Sequence, residues 1–391
     1  WVLSDENFLK NSSWLTFLKL RGSFRHGGYY KIGGDRWLFI SDFAPGPGFR
    51  LGVSPIAVPG YDENRVGNHY VTWERSAKSN IGIDMTLTPA GEIQFSFDVF
   101  NEKRTNILTP PGTVPDYVGI TGLAPRNSGV VQNHGFEGEI RLNKTFGQVK
   151  VFANIQLTYA RNKVLENDLP KPAFPYQDLK GHEVGYTLGY KAVGFFASED
   201  DIAKSPLQQF SDKVIPGDIK YLDVNGDGII NAFDRVPVQI QNVPRYVGGL
   251  SMGASYRGFD ISLLLNGASG GGSYVNMYPG SLLQLQRWTP ENPTGAKVPV
   301  AHSSGNNSIV SDMFVQQTDY LKLRNAEIGF ELPAKLLQPF RIQYIRIYMN
   351  GQNLLIWDKL WLKDRDPESS GSAAINYPLQ RVMNLGVNVK F

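Results

Sequence analysis

The chain has 391 residues, with Gly 41, Phe 22, Tyr 18 and Trp 7 against only 19% charged residues, the Gly-rich and aromatic-rich composition that all-β proteins favour. Cysteine is absent, which excludes a disulfide scaffold, a thiolate zinc site and a cysteine nucleophile. A formal net charge of +3 without a Lys/Arg-rich run leaves no nucleic-acid footprint, so nucleic acid is not an expected partner.

No stretch is apolar enough to cross a bilayer as a helix. The best, FDISLLLNGA from Phe259, is far shorter than the roughly 20 residues such a helix needs, and a β-barrel stays open. With no initiator Met and no signal peptide before Trp1, the chain is expected to be a piece of a longer polypeptide.

Period-two alternation then predicts about ten strands in chain order, near 14–25, 72–88, 91–103, 133–144, 148–162, 246–257, 258–268, 317–332, 343–354 and 380–391. In EIQFSFDV, for example, Ile93, Phe95, Phe97 and Val99 alternate with Gln94, Ser96 and Asp98. The connections are unequal. Tight turns such as TPAG from Thr88, KTFGQ from Lys144 and YRGF from Tyr256 alternate with long stretches rich in Gly, Pro, Asn and Ser. Short turns on one side and long loops on the other are what outer-membrane barrels show. The count closes only if residues 163–245 form one external excursion, with GHEVGYTLGYKAVGFF from Gly181 as a hairpin within it. About ten strands leave two unpaired edges, which lipid does not tolerate, so the remaining strands are expected from an N-terminal part of the same protein.

Inside that excursion lies YLDVNGDGIINAFDR. An EF-hand calcium loop takes oxygen ligands from positions 1, 3, 5, 7 and 12, with Gly at position 6. Those positions here are Asp223, Asn225, Asp227, Ile229 (through its carbonyl) and Asp234, with Gly228 at the turn and Asn231 where a water often intervenes. Asp replaces Glu at position 12. Pro216, Gly217 and Pro237 exclude flanking helices, so an ion sensor is not expected. Structural Ca2+ across 223–234 is one reading, and an Asx-rich turn that binds nothing is the other.

Seven segments in order resemble the SusC/RagA family of TonB-dependent outer-membrane transporters of the Bacteroidota. They are NFLKNSSWLTFLKLRGSF from Asn7, VTWERSAKSNIGID from Val71, GDIKYLDVNGDGIINAFDR from Gly217, RWTPENP from Arg287, DYLKLRNAEIGFELPAKLL from Asp319, IRIYMNGQNLLIW from Ile345 and YPLQRVMNLGVNVKF from Tyr377. The resemblance implies an all-β fold: the C-terminal portion, about ten strands, of a transmembrane antiparallel β-barrel of the roughly 22-stranded plugged type. It implies TonB-dependent import of a bulky hydrophilic nutrient, an oligosaccharide or a peptide, across the cell outer membrane. A SusD-like surface lipoprotein would be the lid, and the plug, TonB box and remaining strands would lie in the missing N-terminal part. The resemblance also implies that Asp223, Asn225, Asp227, Ile229 and Asp234 are calcium ligands, and that Phe391 is the aromatic barrel-assembly signal.

Single residues offer no catalytic vocabulary. The five histidines fall in separate places without metal-ligand spacing, and no Ser/His/Asp set stands out, so no enzyme is expected. Trp37, Phe39, Phe43, Phe49, Tyr274, Tyr278 and Trp288 are loop aromatics able to stack on a sugar, touch a lid or pack their own loops. Asn325, Glu327, Arg346, Tyr348 and Asn350 face a lumen, against a plug or a passing substrate. Trp14, Trp357 and Trp361 suit an interfacial belt. A secreted, calcium-stapled glycan-binding protein is the rival of a different class.

Overall fold

A computed structural model describes residues 1–30, 37–52, 56–88, 90–115, 117, 122–210, 213–240, 243–275, 282–302, 305–361, 363, 365–369 and 379–391. Its main element is one antiparallel sheet of ten strands, each paired with its neighbour in chain order. The strands are β1 Leu15–Tyr29, β2 Glu74–Leu87, β3 Ile93–Thr109, β4 Arg126–Phe146, β5 Val149–Glu166, β6 Tyr246–Tyr256, β7 Phe259–Ser269, β8 Tyr320–Glu331, β9 Tyr344–Asp358 and β10 Val382–Lys390. All ten lie where alternation predicts them. Strands β3 to β5, at 17, 21 and 18 residues, are longer than the roughly 10 residues that a tilted strand would need to span a bilayer.

Register sorts the two faces. One row runs Met85, Phe95, Ile140, Ile155, Leu250, Leu265, Leu323 and Leu355, apolar throughout. The row beside it, on the other face, runs Asp84, Ser96, Glu139, Gln156, Gly249, Asn266 and Lys322. The apolar face is not covered: Ile81, Ile155, Ile328, Met349, Leu385 and Val387 stay exposed. An oblique aromatic run crosses it, with centroids 5.7 Å apart for Phe97 and Phe136, 5.5 Å for Phe136 and Tyr159, and 4.8 Å for Tyr159 and Tyr246. The rings pack on one another across four neighbouring strands, β3 to β6.

Turn chemistry fixes the ends. Arg257 and Gly258 both take positive φ, 47° and 87°, the twist that closes β6 onto β7 with two residues. At the same end lie the connections 88–92, 147–148 and 332–343, while 30–73, 110–125, 167–245, 270–319 and 359–381 all leave from the other. Among the described residues no ladder joins β1 to β10, so the sheet is an open arc. At its β1 edge Trp1 exchanges backbone hydrogen bonds with Leu20, and Val2 bridges Lys19.

The long loops carry structure that alternation did not predict. Asp42–Leu51 pairs with Ile56–Arg65 as a projecting ribbon. The expected hairpin from Gly181 is not formed: Tyr186–Gly189 pairs with Val236–Gln239, and Ala192–Phe195 with Ile219–Tyr221. Each half finds a later partner because that partner closes a shared core, whereas a lone hairpin would leave both faces wet.

Candidate functional site

The inner wall is built from charge pairs laid across neighbouring strands. Arg21 on β1 reaches Asp84 on β2 at 2.7 Å and Asp98 on β3 at 2.8 Å. Gly82 makes this possible, because a Cβ there would collide with the Asp98 carboxylate. A second set mirrors the first: Arg346 on β9 binds Asp260 on β7 and Glu327 on β8, the latter at 2.7 Å. Asn350 donates to Glu327 at 3.3 Å, and Asn384 to Asn350 at 2.9 Å. Glu327, Arg346 and Asn350 are therefore brought together as the sequence reading placed them, on the polar face. Hydrogen-bonded charges keep such a wall wet and rigid, while the same groups on the apolar face would meet lipid unpaired.

At the long-loop end two distant segments fuse into a cap. Tyr190, Ile219, Tyr221, Ile230 and Phe314 form a buried cluster, with Phe210 and Tyr274 against it. A polar layer lies beside them. Gln208 donates to the Ile219 carbonyl at 2.9 Å and accepts from the Tyr221 amide at 2.7 Å, and the Tyr221 hydroxyl donates to the Asn306 carbonyl at 2.8 Å. Asp218, fully buried, accepts from Asn307 Nδ2 at 2.7 Å and faces His302 Nδ1 at 3.2 Å. Burial drives the Tyr221 phenol far above its ordinary pKa. The cap thus has its own small core, tied by backbone-directed amides that only this pairing of loops satisfies.

The 223–234 turn sits on that cap. Gly226 and Gly228 take φ of 77° and 85°, which lets successive amides turn inward. Asp223 accepts from Gly226 and Gly228 at 2.7 and 2.8 Å, Asn225 from Asp227 at 3.1 Å, and Asp227 from Ile229 at 2.8 Å. Asp234 is fully buried and accepts from the Val224 amide at 2.8 Å and the Asn231 amide at 2.9 Å, while Asn231 Oδ1 accepts from the Phe233 amide at 2.8 Å. Tyr176 and Gln177 clamp the turn from outside by donating to the Phe233 and Ala232 carbonyls at 2.7 and 2.9 Å. The Tyr176 phenol is raised by burial and then by the charges of Asp234, Asp223 and Asp227.

Two properties of the turn pull in different directions. The side chains of Asp223, Asn225, Asp227 and Asp234 are each oriented by backbone amides, as a hard oxygen cage requires. Yet among the described residues no three acidic or histidine side chains stand close enough to hold a metal unaided. A divalent ion here would need the Asn225 side-chain and Ile229 backbone carbonyl oxygens beside the three carboxylates, the hard oxygen donors that calcium takes.

Other expected residues divide. Trp37, Phe43 and Phe49 are exposed on or beside the ribbon, whereas Trp288 is buried; Tyr278 lies outside the described residues. Trp14 and Trp357 are exposed at strand ends, in keeping with a belt. Trp361 is not part of one: it packs on Val275 and Val298 within the cap, where contact with fully buried valines outweighs an interfacial position. Phe391 is exposed just past β10. The sequence reading missed Asp366 and Glu368, which lie in a loop with no periodic signal and fold back onto Lys322 and Arg324 of β8.

A family model described as TonB dependent receptor-like, beta-barrel matches residues 13–354. The chain belongs to that family of outer-membrane β-barrel receptors and transporters. TonB-dependent receptor P26 of Formosa agariphila is 26% identical over all of the chain and 41% of its own length, and TonB-dependent receptor SusC of Bacteroides thetaiotaomicron is 23% identical over all of the chain and 39% of its own. The solved RagAB peptide transporter superposes with a TM-score of 0.69 at 19% identity, over 98% of this chain and 42% of that one. The chain therefore spans about two fifths of the length of the relatives it matches. With membership shown, the short turns are periplasmic, the long loops and cap external, and the apolar face meets lipid.

Proposed function

We propose that the chain is the C-terminal portion of a TonB-dependent importer of a bulky hydrophilic nutrient, an oligosaccharide in the first instance. The carrying observation is the open ten-stranded arc, with a lipid-ready outer face, an ion-paired inner face and a folded external cap. Closure of the ring falls to strands outside this chain, because an unpaired edge in hydrocarbon costs several kcal/mol per unsatisfied group. The plug and the contact with TonB belong to that same missing part, and Arg21, Arg346 and their partners are the wall against which the plug seats.

A SusD-like lipoprotein is the proposed lid, resting on the cap and on the exposed aromatic ribbon. Calcium is the proposed staple of the cap, held by Asp223, Asn225, Asp227, the Ile229 carbonyl and Asp234, with Asn231 through water. The ion supplies order, not chemistry: it offsets repulsion among three carboxylates and fixes a long excursion. Oligopeptide import is the alternative substrate. Uptake by cells carrying the full-length gene, against a deletion strain, tests both with a panel of labelled oligosaccharides and oligopeptides; no gene-dependent and TonB-dependent uptake of either class overturns the proposal.

A further inference from the structure

Three side chains at the outer end of β8 converge on one carboxylate. Glu368 receives the Tyr320 hydroxyl at 2.6 Å, Lys322 Nζ at 2.7 Å and the Arg324 guanidinium. Lys322, only 3% exposed, also binds both oxygens of Asp366 at 2.7 Å. Burial pushes the Glu368 carboxyl up, and the donors from Lys322, Tyr320 and Arg324 outweigh it, leaving the group at about 2.

The receiving groups are set up by the wall and not by their occupant. A bulge makes Arg324 the extra residue between Leu323 and Asn325, and opposite it Asn353 takes a φ of 53°. Bulges re-aim a side chain in this way. Arg324 is held in that aim by Asn266 at 2.9 Å and Asn353 at 3.2 Å, and Lys322 Nζ lies 4.9 Å from the Tyr320 ring centroid. Lys322 pairs with Asn266 on the polar face, which places the cluster inside the barrel, at its external end.

The occupant is a short turn, 365–369, whose own hydrogen bonds hold its shape. Asp366 Oδ1 accepts from the Glu368 amide at 2.8 Å, and its carbonyl accepts from the Ser369 hydroxyl at 2.6 Å. It arrives on the connection between β9 and β10, fastened ahead of it where Lys359 binds Asp319 at 2.9 Å.

We propose that Tyr320, Lys322 and Arg324 form a carboxylate-binding site on the inner wall, occupied here by the chain's own Asp366 and Glu368 as a tethered stand-in for an acidic substrate. Two cations and a hydroxyl on one carboxylate favour an acid strongly over a neutral ligand. The tethered turn keeps the site closed until a ligand acid displaces it, so apparent affinity is lowered by the fraction of time the turn is bound. This inference rests on the transport reading only in taking the inner face as the substrate path. Binding is therefore measured on purified protein, apart from uptake.

The test uses the full-length transporter in detergent and calorimetric titration with acetyl-Asp-Pro-Glu-Ser-amide, which copies residues 366–369. The variant D366N/E368Q is expected to bind this peptide at least about tenfold tighter than the unsubstituted protein, a turn bound nine-tenths of the time giving that factor. The peptide acetyl-Asn-Pro-Gln-Ser-amide should show no such gain, and adding K322M and R324Q should erase it. A parallel arm with trigalacturonic acid separates an acidic glycan from an acidic peptide, and a gain with either supports the site. No gain with either, in a variant of unchanged electrophoretic heat-shift, overturns it. If that variant fails to fold, S369C replaces it, with alkylation read by mass spectrometry on the peptide that contains residue 369. Its alkylation should accelerate as peptide displaces the turn, and a flat rate overturns the proposal.

Discussion

Two adjacent residues of β5 decide whether the apolar face meets lipid. Ile155 lies between Ile140 and Leu250 on the apolar face, is 44% exposed, and is followed by Gln156 on the opposite face. It stands six residues beyond Val149, where β5 leaves its tight turn. At about 3.4 Å per residue and a tilt of about 40°, that is about 15 Å above the turn, near the middle of a hydrocarbon layer of about 25–30 Å. Ile155→Arg should then cost about 2–4 kcal/mol. Gln156→Arg should stay within about 0.5 kcal/mol, since the new cation gains Glu139, whose Oε1 already accepts from Gln156 at 3.2 Å. The assay is the urea dependence of folding of the full-length transporter into lipid vesicles, read by heat-shifted mobility on gels. A water-soluble sheet predicts something else: both positions are solvated surface, and neither change matters. Equal costs for the two variants, or a larger one for Gln156→Arg, would refute the lipid-facing assignment and the transport reading with it.

Replacing Arg346 by Met strands Asp260 and Glu327 and should cost about 1–3 kcal/mol in the same assay, most of it recovered when both acids are also made apolar. For the 223–234 turn, calorimetry should find one calcium per chain. With a dissociation constant of about 0.1 mM, about 2 mM calcium would add about 1.8 kcal/mol to cap stability. EDTA or Asp223→Ala with Asp227→Ala should therefore speed proteolysis between 213 and 240, and an unchanged cleavage rate would support the empty-turn alternative. Asp168 supplies a pH dependence. Hydrogen bonds from Arg126 lower its carboxyl below the ordinary 3.8, with burial opposing, so its contribution is full above pH 3.8 and is lost as pH falls through the lower folded value. Hydrogen exchange at Gly112, whose amide donates to the Asp168 carbonyl at 2.9 Å, should quicken over that acid range and lose the dependence in Asp168→Asn.

The ten barrel strands were legible because their signal is local. In EIQFSFDV the alternation of Phe95 and Phe97 with Ser96 is enough to say that one face is greasy and the other wet, whatever the partner strand is. The YRGF turn was legible for the same reason, as Gly258 marks the left-handed backbone that closes the hairpin. The cap was not. Tyr190 and Tyr221 share a core with Phe314, about a hundred residues along, and no periodicity in either segment announces that union. Trp361 misled by its position at a strand end, which suits a belt as well as a cap, and only the valines it meets distinguish them.

The inner wall shows why lumen chemistry is the hardest part to read. Arg346 was assignable to the polar face by parity, because the residues flanking it, Ile345 and Ile347, point to lipid. Arg324 defeats parity: the bulge that makes it an extra residue shifts the count by one, and the same bulge turns its guanidinium toward Glu368. Strict alternation is therefore most informative where the barrel does nothing but span lipid, and it fails at the register break where side chains are gathered for binding. At Arg324 the break and the inner-face cation Lys322 two residues before it fall together, and it is their coincidence, beyond the reach of period-two counting, that gathers Asp366 and Glu368.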